Sequence, residues 1–195
     1  HTGLDVNNYA LHGIVDVDTV AYGNVVRDAY IGQFTGTVGF YLNNGKVFEN
    51  ASSLTTLTTA TNLDIVGFAL DMDGGTLKIY KNGVLIGTGK SGITGNQTPA
   101  FSVYTGSSSA IVNFGQDDTF AGNISSGGNT DGNGNGVFKY SVPSGYLALC
   151  TANFSDPTID PQKDQTPEDH FKAVLYTSGN IGSGGTQAVT GAGFQ

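Results

Sequence analysis

Between residues 64 and 89 the chain reads DIVGFALDMDGGTLKIYKNGVLIGTG, and from Val66 to Ile79 its large apolar side chains recur at alternate positions. Val66, Phe68, Leu70 and Met72 fall on every second position, which puts them on one face of an extended strand. Gly67, Ala69 and Asp71 take the other face. Asp73-Gly74-Gly75 then breaks the chain, because Asp and Gly accept turn conformations that β-branched residues refuse. Leu77 and Ile79 resume the inward phase, with Thr76, Lys78 and Tyr80 outward. Asn82-Gly83 is a strong hairpin signal, since both central residues of a type I′ turn need positive φ. Val84-Leu85-Ile86 opens a third strand. The pattern predicts a three-stranded antiparallel meander.

Strand-length apolar patches recur elsewhere. Residues 9–15 (YALHGIV) read as a first strand, 31–42 hold another with a glycine bend, and 45–49 form its hairpin partner after Asn43-Asn44-Gly45. The Thr-rich stretch 54–63 reads as a loop or an edge strand. Residues 100–104 and 110–114 each alternate, and 146–151 read as a final core strand. Phe68, Leu70, Leu77, Ile79, Phe101, Val103, Val112, Phe114 and Leu149 lie on the apolar phases and form the expected core. Residues 121–136 (AGNISSGGNTDGNGNG) are too polar and glycine-rich to bury a face, which predicts a long mobile loop. No run repeats with a helical period. Thirty glycines in 195 residues, with many Asn, Thr and Ser, fit short strands and frequent turns. The expected fold is all-β, an antiparallel β-sandwich.

The order Asp64, Gly67, Leu70, Asp71, Gly75, Ile79, Tyr80, Asn82, Gly83 resembles the signature of SPRY domains. Residues 39–53 (GFYLNNGKVFENASS) and 99–116 (PAFSVYTGSSSAIVNFGQ) resemble the strands that flank that hairpin in SPRY domains of bacteriophage structural proteins. Residues 143–159 (PSGYLALCTANFSDPTI) resemble the exit from the phage versions. The ordered set spans 36–159. The resemblance implies a concanavalin A-like sandwich and a binding or structural role. Residues 1–155 are assigned to this domain, with its opening strand missing, and 156–170 to a Pro- and Asp-rich connector. Residues 171–195, which regain strand character at 171–176, resemble the start of a following domain or tail segment. The chain is accordingly expected to be a segment of a longer protein.

Charge narrows the function classes. Eight Lys+Arg against sixteen Asp+Glu give a formal net charge of −8, which disfavours nucleic acid as a partner, because phosphate binding needs clustered cations. No apolar run approaches the roughly 18 residues of a membrane helix, so no membrane insertion is expected. Gly87–Gly92 (GTGKSG) matches G-x-G-x-x-G, yet the following ITGNQTP cannot open the helix whose N-terminus would meet a pyrophosphate. Asp16/Asp18 and Asp71/Asp73 have the carboxylate spacing of a calcium loop but lack its further oxygen ligands and closing Glu; they read as turn-capping aspartates. Asn129, Asp131, Asn133 and Asn135 have better oxygen spacing with a single carboxylate, and read as flexible loop.

His1, His12 and His170 form no metal-binding pair, and His12 reads as a polar strand residue. Nothing selects a carboxylate pair for glycoside hydrolysis from Glu49, Glu168 and the scattered Asp. Cys150 reads as an inert buried thiol. The sequons at Asn50, Asn96, Asn123 and Asn153 fit the Asn/Ser/Thr-rich composition.

No catalytic, cofactor or metal residue is therefore assigned, and no enzyme activity is expected. The leading reading is a non-catalytic virion structural or attachment module: a tail fibre, spike or capsid decoration on the particle surface. Its expected partners are other virion proteins and a host-surface glycan or protein, and its expected state is a homo-oligomer, a trimer for a fibre. The alternative is a carbohydrate- or protein-binding module not tied to a virion, with Tyr41, Tyr80 and Tyr104 as stacking surfaces. A polysaccharide-degrading domain is the third.

Overall fold

The computed structural model describes residues 10–19, 29–103 and 110–155. The chain divides into two compact units, His1–Asn153 and Phe154–Gln195, and everything below concerns the first. The expected strand 171–176 lies outside the described residues.

Among the described residues, eight strands occur in chain order: β1 (Ala10–Asp16), β2 (Thr37–Tyr41), β3 (Lys46–Glu49), β4 (Ser52–Thr56), β5 (Val66–Asp71), β6 (Thr76–Lys81), β7 (Val84–Ser91) and β8 (Gln97–Val103). They form a five-stranded sheet in the order β4-β3-β2-β1-β8 and a three-stranded sheet in the order β5-β6-β7. All pairings are antiparallel. The expected all-β antiparallel sandwich is present.

The meander register follows from the alternation. Phe68 lies opposite Ile79 and Leu70 opposite Leu77, so these four share the inner face. Ile79 and Leu77 are buried, and Phe68, Leu70 and Val66 pack against the same core as Ile14, Val38, Phe40 and Val47 of the larger sheet. The β6–β7 turn has φ of 48° at Asn82 and 81° at Gly83, as a type I′ turn requires.

The five-stranded sheet buries its outer face as well. Leu11, Val15 and Ile31 form a second cluster there, with Tyr41, Phe48 and Ala100 against it. Gly13 and Gly39 face each other at its centre. A Cβ on Gly39 would come 2.0 Å from the Ile31 carbonyl oxygen, so the chain around Ile31 crosses this face in direct backbone contact.

Several expectations need correction. Phe101, Val103, Phe114 and Leu149 are exposed rather than buried, and Val112 is half-buried. Phe101 and Val103 do lie on the inner phase of β8, opposite His12 and Ala10. The smaller sheet, however, is aligned with the β4 end of the larger one, where Lys90 of β7 pairs with Glu49 of β3 and β7 meets β4. Five strands against three then leave the β8 end uncovered.

Residues 110–114 form no strand. Their surroundings are rich in side-chain acceptors that take the backbone donors: Gln116 accepts from Phe114 N–H, and Asn113 accepts from Gly115 and Asp117 N–H. Local side-chain bonds of this kind compete with ladder formation. Residues 146–151 are likewise not a strand. The Ala148 N–H is bound by Asp131, and Cys150 N–H turns back to Ala148 O. One turn of 3₁₀ helix, Thr151–Asn153, follows. Residues 121–136 are a hydrogen-bonded lobe instead of a free polar loop.

Candidate functional site

The lobe, residues 113–153, is organised by three carboxylates that composition alone did not single out as structural. Asp117 accepts from Thr119 N–H, the Thr119 hydroxyl and Ala121 N–H. Asp118, only 4% exposed, accepts from the Ser126 hydroxyl and from Gly127 and Gly128 N–H, each at 2.7 Å. Asp131, 6% exposed, accepts from Asn133 and Asn135 N–H on Oδ1 and from Ala148 N–H and the Asn153 amide on Oδ2. The Asn153 carbonyl oxygen in turn accepts from the amides of Asn133 and Asn135.

These donors stabilise the charged form. Ala148 N–H, opposed by desolvation and joined by Asn135, Asn153 and Asn133, holds the Asp131 carboxyl at about 2. The Thr119 hydroxyl leads in lowering Asp117, and Gly128 N–H in lowering Asp118. The sequence signal for this network was present as Asp residues set among Gly and Asn, whose small side chains let consecutive N–H groups converge on one anion. The stretch Asn129–Asn135 thus gives its carboxylate to N–H donors of the chain itself.

The lobe lies beside the outer face of the three-stranded sheet. Lys78 Nζ stands 5.8 Å from the Tyr146 ring centroid. A Cβ on Gly83 would be 2.9 Å from the Tyr140 ring, so the β6–β7 turn rests on that ring. Tyr80 shares this outer face with Lys78, with Gly67 on one neighbouring strand and Leu85 on the other. Tyr80, Tyr140 and Tyr146 are half-buried. Val84 is 67% exposed, Leu85 50% and Leu147 49%. Lys78, three tyrosines and the accessible side chain of Leu85 lie on this side of the sheet, whereas Val84, opposite Lys81, takes the other face. This arrangement can bind; it holds no nucleophile-and-base pair.

The same turn is clamped to the segment that leads into β5. Asn82 accepts from Ile65 N–H and donates to Asp64, which also accepts from Thr61 N–H and the Thr61 hydroxyl and pairs with Lys81 at 3.0 Å. Desolvation pushes the Asp64 carboxyl up, but the donors from Thr61, Asn82 and Lys81 outweigh it and hold the group at about 2.

The remaining sequence candidates are dispersed. Gly87–Gly92 lies in β7 and the bend after it, with Lys90 paired to Glu49. Asp16 caps its turn by accepting from Asp18 N–H and the Thr19 hydroxyl, and Asp71 by accepting from Gly74 N–H. Asp18 accepts from the Asn96 amide, and Asp73 is exposed in its turn. His12 is 4% exposed on the inner face, its ring 5.4 Å from that of Phe101, and desolvation lowers its pKa to about 4. Cys150 is half-buried, outside any strand, with the Asn153 amide 3.6 Å from its sulfur. Tyr41 packs on the far face of the larger sheet, away from Tyr80. Asn50 sits in an exposed turn with φ of 49°, and the Asn123 amide donates to Phe120 O. His1, Tyr104, Glu168 and His170 lie outside the described residues. Among the described residues, no three His, Cys, Asp or Glu side chains are grouped as metal ligands, and no helix is long and apolar enough to cross a membrane.

A family model described as SPRY domain matches residues 13–117 of this chain. Among solved structures, the crystal structure of the SPRY domain of human HERC1 is similar at 20% identity, covering 56% of this chain and 73% of that one with a TM-score of 0.36. No curated protein matches. The family match ends at Asp117, within the first residues of the lobe.

Proposed function

The chain belongs to the SPRY domain family, and on that premise we propose that it works as a non-catalytic binding module on the outside of a virus particle. SPRY domains are generally interaction modules without catalysis. The observation that carries the binding role is the surface around Tyr80: half-buried tyrosines and an exposed Leu85 on a bulged stretch of sheet, flanked by a lobe whose own carboxylates fix its backbone. A rigid frame that presents loops is how recognition surfaces are built. Assignment to a tail fibre, spike or capsid decoration rests on the resemblance of residues 36–159 to phage SPRY domains and on the Gly-, Asn- and Ser-rich composition. Net charge of −8 suits an exposed surface. A homo-oligomer is the expected state, since fibres and spikes are symmetric assemblies. The partners are other virion proteins and a molecule of the host surface.

A second reading, a glycan- or protein-binding module with no tie to a virion, is favoured by the tyrosines gathered at Tyr80, Tyr140 and Tyr146. Both readings are tested by probing arrays of bacterial surface glycans and envelope proteins with labelled protein while hydrolysis is followed in the same samples. Saturable binding without product release is expected. Turnover of any bound polysaccharide, abolished by changing one Asp or Glu, would replace both readings with an enzyme.

A further inference from the structure

We propose that the open edge of β8 is a self-association surface, on which a second copy of this chain adds its own β8, antiparallel, about a two-fold axis at Phe101. This goes beyond the binding-module reading and gives the expected homo-oligomer a face. The direction of the backbone groups follows from β1. Asp16 N–H donates to Gly36 O on the β2 side, and Val17 N–H to Asn96 O on the β8 side. Backbone groups alternate in direction along a strand, so Leu11, Gly13 and Val15 bond to their register partners Ser102, Ala100 and Thr98. Pro99, Phe101 and Val103 then turn their backbone groups the other way, where β8 ends the sheet among the described residues. Pro99 sits where proline is tolerated, with its missing N–H on an open edge.

The chemistry of this edge selects a second copy. Copies of a chain with a net charge of −8 repel one another, yet no Asp, Glu, Lys or Arg occurs from Ser91 to Gln116. Asp16 and Asp18 lie at the Gln97 end of β8, away from the axis. Exposed Phe101 and Val103 and half-buried Pro99 line the inner side, with the Phe114 ring edge-on to Phe101 at 6.4 Å. Depletion of charge around an aromatic centre is the composition of an interface core. The edge also fits itself in register. With Phe101 opposite its counterpart, each donates its N–H to the other's carbonyl, and each Val103 N–H meets a Pro99 carbonyl. Proline is then asked only to accept. The two Phe101 rings adjoin, and Val103 lies against Pro99, as cross-strand pairs on one face. The other edges suit pairing less well. The β4 ladder is bulged against β3 and the β7 ladder twice against β6, which deters strand addition, and β5 ends in Asp71.

The test is analytical ultracentrifugation of the whole chain over a range of concentrations, where a reversible monomer–dimer equilibrium is expected. Phe101→Glu sets two carboxylates on the axis and is expected to raise the dimer dissociation constant on the order of a hundredfold. Leu54→Glu, an equal charge change at an exposed apolar position of β4, should leave it within about twofold. Val103→Pro removes an outward N–H without touching the bonds to β1, so it should dissociate the dimer while keeping native circular dichroism. In a Cys150→Ser background, oxidised Phe101→Cys should give a covalent dimer, since Cα atoms across such a pair lie about 5.5 Å apart, within disulfide reach. A monomer at every concentration, equal losses for Phe101→Glu and Leu54→Glu, or a dimer that survives both Phe101→Glu and Val103→Pro would each overturn the proposal. So would exchange protection of the Phe101 and Val103 amides in the monomer, which would show that the chain covers its own edge. The binding-module reading stands or falls separately, on the arrays of glycans and envelope proteins.

Discussion

Asp131 and Ala148, seventeen positions apart, are joined by a hydrogen bond of 2.8 Å from the Ala148 N–H to the buried carboxylate. This bond ties the middle of the lobe to its C-terminal part and occupies the donor that a strand at 146–151 would have used in a ladder. Removing the acceptor leaves Ala148, Asn133 and Asn135 N–H groups to be satisfied elsewhere. Asp131→Ala is expected to destabilise the lobe, because those donors lose their acceptor. Hydrogen exchange should show those three amides losing protection while the β5–β6 amides keep theirs. Unchanged protection at Ala148 would show that the carboxylate is not the anchor.

Acid should act on the same anchor. The folded Asp131 carboxyl lies at about 2, below its ordinary 3.8, so it contributes stability that is present above about pH 4 and is lost as pH falls through 2. In Asp131→Asn this acid-dependent component should be missing from the lobe amides.

His12 sets a second pH window. Its folded value near 4 lies below the ordinary 6.5 because burial disfavours the imidazolium. Above pH 6.5 both folded and unfolded states are neutral and this group leaves stability intact. Between 6.5 and 4 the unfolded chain takes up a proton that the folded chain does not, so stability falls as pH falls, by at most about 3 kcal/mol. Urea titrations across this range should show the decline, and His12→Phe should flatten it. An NMR titration placing the His12 pKa near 6.5 in the folded protein would contradict the account.

Gly39 has no spare volume. Because its missing Cβ would overlap the Ile31 carbonyl oxygen, Gly39→Ala must push the crossing segment off the sheet. Destabilisation of about 1–3 kcal/mol or more is expected, read as a fall in melting temperature. Gly92→Ala, where a Cβ meets nothing within 4 Å but φ is 72°, should cost only about 1 kcal/mol from backbone strain. Equal effects would show that the contact with Ile31 is not tight.

The meander was legible because its signals are local. Alternation fixed the inner face of Phe68, Leu70, Leu77 and Ile79, and Asn82-Gly83 fixed the turn, all within a short stretch of chain. The exposure of Phe101 and Val103 was not legible, because their phase is correct and only the offset of one sheet over the other leaves β8 uncovered. That offset depends on Glu49 meeting Lys90 from distant strands. Composition misled for the lobe, where polar residues read as unable to bury a face prove to be wired to buried carboxylates. Of the candidate surface, Tyr80 was identified as an outward tyrosine, but its neighbours Tyr140 and Tyr146 come from a part of the chain that no strand pattern links to it.

The central claim, a binding module on the outside of a virus particle, is tested most directly by immunogold electron microscopy of intact, purified particles with an antibody against this chain. The account predicts gold on the surface of unopened particles, at an appendage or on the capsid exterior. Label confined to infected cells, with none on the particles, would contradict it.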